Sequence, residues 1–307
     1  MNSTRSEQQL TIIGNDGMAS LVIPWCDLFC RRYPHISFNC TLKGSSTAIM
    51  ALGADASWVA PMSRAPWPHE LAAFVNAKGY LPTAIHVGYT GHGPRPSAKT
   101  PPAIYAHRSN PLPGLTMSQL AAVFSAGAPT GDIACWQQLG LGGKWRSRRI
   151  HLYGLRDNGK YATAFRHAYL AERHYPRHYE ALADRKAVIE AVAEDPFGLG
   201  SLGWCNAAEF SQDVRIVPLA SDAENAAFYT PQLSHVELGK YPLSSFISLY
   251  VDLPPGAKLS ALLKAWLLLT LSPAGQTVIA GQTHSAEGYV PLPPAMLNIQ
   301  REHVALM

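Results

Sequence analysis

The chain has 307 residues, of which 47% are hydrophobic and 15% charged, with a formal charge of +4. That composition excludes a disordered or low-complexity chain, and the 24 glycines and 24 prolines follow no collagen-like period. The length suits about two domains with cores of their own, and the 25 Lys and Arg are dispersed rather than blocked, which excludes a basic nucleic-acid tail.

The first eighty residues alternate strand and helix. A strand over 10–14 meets the turn Asn15-Asp16-Gly17, and a helix follows over 18–33, stopped by Pro34. Its residues Leu21, Val22, Trp25, Leu28 and Phe29 recur at helical spacing. A strand over 36–42 runs into Gly44-Ser45-Ser46-Thr47, a cap-rich loop that opens a helix over 48–52. A strand over 58–62 leads to Ser63-Arg64 and a helix over 66–77. This alternation predicts an α/β fold with helices on the faces of the sheet.

A strand over 80–89 comes next, then a Gly- and Pro-rich loop, a strand over 103–107 and a helix over 116–124. An Arg-rich stretch ends in a strand over 150–155, followed by helices over 161–172 and 185–193 and a strand over 214–219. A last strand over 245–251 precedes helices over 259–271 and 273–281, the second opened by Ser272 as cap and Pro273. Two strand-like crossings, near 84–90 and 241–250, predict two lobes: 1–88 with 241–307, and 89–240. The apolar run 265–271 falls far short of the about 20 residues that span a bilayer. Residues 1–9 are polar and carry no apolar signal-peptide core.

Three loops place small or polar residues between a strand and a helix: Gly14 to Met18, Gly44 to Thr47, and Arg156 to Lys160. A helix start carries unpaired N–H groups and about half a positive charge, so each loop favours an anion. Arg156, Lys160 and Arg64 add full charge nearby. Gly198-Leu199-Gly200-Ser201-Leu202-Gly203 is a literal GxGxxG, but it follows a helix and Asp195-Pro196 rather than a strand. It reads as a turn between helix and strand, not a dinucleotide site. His167, His174 and His178 are split by Tyr175-Pro176 and read as structural, so no metal or other cofactor is expected. No nucleophile–base pair or G-x-S-x-G elbow points to an enzyme. Among the five cysteines, Cys26 and Cys30 sit too awkwardly on one helix to bridge. Two readings stay open: small buried thiols, or a helix-to-strand staple from Cys30 to Cys40.

Pieces along nearly the whole chain come in the order of a known family. They include Gly14 to Ala19 with the Trp25 helix, Gly44-Ser45-Ser46, Ala60-Pro61-Met62-Ser63-Arg64-Ala65-Pro66 and Asn110-Pro111 through Phe124. Trp136 before Leu139-Gly140, 150–158 with Arg156, 188–203, Tyr241-Pro242-Leu243-Ser244, Ser272 to Gln276 and Gly288 to Leu292 complete the series. In these the chain resembles the phosphate-type substrate-binding proteins of ABC transporters, within the periplasmic binding protein superfamily.

The resemblance implies a two-lobed clamshell, each lobe a mixed sheet flanked by helices, closing on an oxyanion such as phosphate. It implies a periplasmic or extracytoplasmic monomer that hands the anion to an ABC permease, with no enzymatic step. A sensor that presents to a membrane kinase is the alternative, and a phosphoester hydrolase a third. Carried over residue by residue, Ser45 matches the serine that holds the ligand, and Arg156 the arginine that pairs with it. Gly17 and Met18, beside Asp16, fall on the first ligand loop, and Ser46 follows Ser45. Ser63 and Arg64 fall where phosphate binders keep Ser-Asp, which makes Arg64 a cation at the cleft floor. Gly159, Lys160 and Tyr161 fall near the family's Ser-Gly-Thr helix start, and Met18 replaces a threonine. With hydroxyls lost and cations gained, a fully charged or larger anion is expected.

Overall fold

The computed structural model describes residues 8–95, 98–158, 160–206 and 210–307. They form two compact units, Met1–Thr90 with Ser245–Met307, and Gly91–Ser244.

In the first unit the strand Gln8–Gly14 pairs in parallel with Ile36–Leu42, from Gln8 opposite Ile36 to Gly14 opposite Leu42. The helix Ala19–Arg32 connects them. Its buried residues Leu21, Val22, Trp25, Cys26 and Phe29 form one face, while Leu28, expected on that face, is half-buried. The strand Ala60–Met62 runs beside Gln8–Gly14 in the same direction. The Trp58 N–H donates to the Thr11 carbonyl at 2.8 Å and the Asn15 N–H to the Pro61 carbonyl at 3.0 Å. Ala60–Met62 is also the edge of a four-stranded antiparallel sheet in the order Val290–Pro291, Thr83–Tyr89, Phe246–Val251, Ala60–Met62. Parallel and antiparallel strands thus meet at Ala60–Met62.

The core of this unit is aromatic. Trp266 lies 6.3 Å from Trp25 and 5.8 Å from Trp58, ring centre to ring centre. The Trp25 indole donates to the Gly275 carbonyl at 3.0 Å. Helices Ala261–Thr270 and Pro273–Ala280 start on Ser260 and Ser272, whose hydroxyls accept the N–H groups of Leu263 and Gly275. No single helix among the described residues is long and apolar enough to cross a membrane. Helix Pro294–Leu306, absent from the sequence expectations, buries Gln300 and Val304.

The second unit holds a five-stranded sheet in the order Val214–Val217, Ala103–His107, Gly198–Leu202, His151–Leu155, Tyr179–Leu182. The first two junctions are antiparallel and the last two parallel. The GxGxxG segment expected as a turn is therefore the central strand, with every residue of Gly198–Leu202 buried. Its glycines serve packing. A Cβ on Gly200 would stand 2.8 Å from a Val192 methyl, and one on Gly203 2.5 Å from the Tyr161 ring. Helix Tyr161–Tyr169 ends earlier than expected, because Ala171 and Glu172 turn to positive φ, 48° and 63°. Helix Met117–Phe124 is capped by Thr116 and Gln119, each side chain bonded to the other's backbone N–H.

Candidate ligand site

In the first unit, three strand ends come together. The Gly44 N–H donates to the Gly14 carbonyl at 2.9 Å, and Asn15 is bonded to Pro61. Asp16, Gly17, Met18, Ser45, Ser46, Ser63 and Arg64 are therefore grouped at one end of the parallel strands. Such strand ends, with helix starts beside them, are where open α/β sheets bind ligands.

Ser45 and Ser46 are not in a loop ahead of the second helix, as the sequence suggests. They are its first turn, Ser45–Gly53. Gly44 precedes it at φ 143°, a conformation that side-chain-bearing residues rarely adopt. The Asn15 amide donates to the Ser45 hydroxyl at 2.8 Å, and the Asn15 carbonyl oxygen accepts the Met18 N–H at 3.1 Å. Because Ser45 accepts this bond, its own hydroxyl proton stays free to point outward. Among the described residues, the N–H groups of Asp16, Gly17, Ser45 and Ser46 take no partner. Ser45 is 8% exposed, while Ser46 and Asp16 face solvent.

Met18 does not offer its side chain to this cluster. It is fully buried in the core with Leu21 and Trp25. Gly17 is hemmed in, since a Cβ there would stand 2.9 Å from the Tyr289 hydroxyl and 3.2 Å from the Glu287 carboxyl carbon. Burial first, then the charges of Glu287 and Asp16, push the Tyr289 hydroxyl far above its ordinary range. The loop thus carries one carboxylate, Asp16, and lies beside a second, that of Glu287.

Arg64 differs most from its expected role. Its guanidinium grips Glu70 with two bonds, 2.8 and 2.6 Å, and stacks 4.4 Å from the Trp67 ring centre. Glu70 is 2% exposed and also accepts the Trp67 N–H at 2.7 Å. The charge of Arg64 is therefore balanced inside its own helix start, Pro68–Lys78, and it is not an unmatched cation. Asn15 and Glu70 are the residues sequence reasoning missed. Glu70 had a signal: it stands at the third helical position after a proline start, where a carboxylate reaches back to the cap.

In the second unit, Arg156 and Lys160 follow the strand His151–Leu155 and are exposed, with no carboxylate paired to either among the described residues. Asp157 between them is engaged elsewhere, accepting from the Thr163 hydroxyl at 2.5 Å and from Arg166 at 2.8 Å. Tyr161 opens the next helix, but it is buried with its hydroxyl 3.2 Å from that of Ser201. Burial pushes its pKa well above the ordinary value. Gly159 lies outside the described residues. No group of three His, Cys, Asp or Glu among the described residues could hold a metal ion.

The staple from Cys30 to Cys40 is not formed. All five cysteines are free. Cys30 donates to the Ile36 carbonyl at 3.2 Å, whereas the pKa of Cys40 is lowered by the neighbouring Cys26 thiol.

Residues 2–274 match the model of the PBP superfamily domain. The chain belongs to the PBP superfamily. It is 33% identical over 288 residues to the phosphate-binding protein PstS of Pseudomonas aeruginosa, a match that covers 92% of this chain and 83% of that protein. Solved members share the fold at low identity. PstS from Borrelia burgdorferi superposes with a TM-score of 0.60 at 14% identity, covering 93% of this chain and 99% of that one. An ABC-type phosphate transport receptor from Vibrio cholerae gives 0.55 at 14%, covering 92% and 99%. The tungstate binding protein TupA from Desulfovibrio alaskensis G20 gives 0.51 at 13%, covering 93% and 99%. The mixed sheets flanked by helices in each unit are this fold.

Proposed function

We propose that this PBP-superfamily chain is an extracytoplasmic solute-binding protein that captures a tetrahedral oxyanion, phosphate first, for an ABC importer. The observation that carries the reading is the grouping of Asn15, Ser45 and four open N–H groups at the joined strand ends of the first unit. Two helix starts there direct donors and positive potential to one place, which suits a compact anion with several acceptor oxygens. In the second unit, Arg156 and Lys160 are exposed cations beside a strand end, and a guanidinium fork can grip two oxygens at once, which suits the same anion chemistry. Phosphate stands first because the Pseudomonas aeruginosa relative is a phosphate-binding protein. The tungstate binding protein that shares the fold argues for including other tetrahedral oxyanions. Binding and hand-over to a permease, without turnover, is the whole of the proposed activity.

A thermal-shift series with phosphate, arsenate, sulfate and tungstate tests this. A ligand at about 100 times its dissociation constant adds about 2.7 kcal/mol of stability. A clear rise with phosphate or another oxyanion in the series is expected. No rise with any of them would overturn the reading.

A further inference from the structure

The helix Ala19–Arg32 and the strand Ile36–Leu42 carry three of the five cysteines, and none of them belongs to the ligand site. In a parallel strand–helix–strand unit, the helix runs opposite to the strands. Phe29 packs on Phe38, with ring centres 6.1 Å apart and planes at 70°, which sets the register of helix on strand. Three residues back from Phe29, about 4.5 Å along the helix, stands Cys26. Two residues on from Phe38, about 6.6 Å along the same face of the strand, stands Cys40. Both steps lead in the same direction, so the register itself sets Cys26 over Cys40. Both residues belong to the same core cluster, Cys26 buried and Cys40 partly buried. Each thiol acts on the other's titration, which agrees with their being neighbours. Cys30, one turn further along the helix, is engaged with the Ile36 carbonyl.

We propose that Cys26 and Cys40 form a thiol pair that closes to a disulfide by exchange with an external small-molecule or protein disulfide. The two thiols are not equivalent. The neighbouring Cys26 thiol holds the Cys40 thiol below its ordinary pKa, whereas Cys40 and burial push Cys26 up. Cys40 is also the more accessible of the two. It is therefore the attacking thiolate, and Cys26 the resolving thiol.

In the first step Cys40 Sγ bonds to one sulfur of the external disulfide, whose S–S bond breaks. The departing thiolate takes up a proton. In the second step Cys26 gives up its proton and attacks the Cys40 sulfur of the mixed disulfide, expelling the second external thiol. Two protein thiols lose two electrons and two protons, and one external disulfide becomes two thiols. The product ties the helix that follows Met18 to the strand that leads into Gly44 and Ser45, the two elements next to the Asn15–Ser45 contact.

The test equilibrates the folded full chain with glutathione disulfide, blocks the remaining thiols and maps peptides without reduction. The expected result is one bridge, Cys26–Cys40, with the free thiols falling from five to three. The Cys30→Ser variant should form the same bridge, and Cys40→Ser should form none. The bridged protein should melt at a higher temperature than the same sample after reduction. A bridge through Cys30, five free thiols, or glutathione left attached at Cys40 without closure would each overturn the proposal. None of these outcomes depends on whether the protein binds an oxyanion.

Discussion

Asn15 and Ser45 are joined side chain to side chain at 2.8 Å, across 30 residues of sequence. The contact orients a serine hydroxyl at a helix start and ties the first loop to the second helix. Asn15→Ala removes this bond and the one to the Met18 N–H. Each such bond contributes about 1 kcal/mol. Phosphate affinity in calorimetric titration should fall about tenfold, and Ser45→Ala should weaken binding more than Ser46→Ala. Wild-type affinity in Asn15→Ala would show that the contact only braces the fold.

Arg64 and Glu70 predict a stability effect rather than a binding effect. Glu70→Gln leaves the Arg64 guanidinium beside a neutral, buried partner. Breaking a buried pair costs about 3 kcal/mol at the lower end of the usual range, and the 21% exposure of Arg64 favours that lower end. Chemical denaturation should show the loss. If anion affinity instead rose sharply at unchanged stability, Arg64 would be a ligand cation held in check.

Arg156→Ala should behave in the opposite way. The side chain is exposed and pairs with no carboxylate among the described residues, so the midpoint of unfolding should hardly move. Phosphate affinity should drop by roughly thirtyfold, and the salt dependence of binding should flatten. Lys160→Ala should give a smaller loss, because an ammonium is a point charge without the planar fork. An unchanged titration for both variants would mean that neither cation touches the bound anion.

The carboxylate of Asp16 stands on the first loop and repels a fully ionised anion more than one that keeps a proton to share. Asp16→Asn should therefore raise sulfate affinity relative to phosphate. Competition titrations at one pH measure the ratio, and an unchanged ratio would mean that Asp16 stays clear of the bound anion.

His86 gives a pH prediction. Burial, with a smaller contribution from the charge of His303, holds its pKa below the ordinary 6.5. The neutral ring is the form that suits the folded state, stacked 4.1 Å from the Phe246 ring centre and bonded to Ser248 at 2.8 Å. The unfolded chain takes up the proton first as pH falls. Stability should thus be full above about 6.5 and decline as pH drops from there toward the lower folded value. Melting curves between pH 7.5 and 5 should show less decline in His86→Asn than in wild type.

The alternation of strand and helix over the first eighty residues was legible because each element carries its own signal. The apolar face of Ala19–Arg32, the caps Ser272 and Thr116, and the glycine before Ser45 are local rules that act within a few residues. The carried-over serine and arginine were legible as residue types at matching positions. What those residues touch was decided by the fold. Arg64 reads as a spare cation until Glu70 closes on it, and Cys40 reads as a partner for Cys30 until the Phe29–Phe38 register sets Cys26 above it. Gly198–Leu202 reads as a turn because its glycines suit one. Only the side chains of Val188, Val192, Tyr153 and Tyr161, arriving from other elements, show that the missing Cβ atoms make room for a buried central strand. A sequence encodes local backbone preference residue by residue. Charge balance, thiol pairing and close packing depend on groups far apart in the chain, and only the tertiary structure puts them in reach of one another.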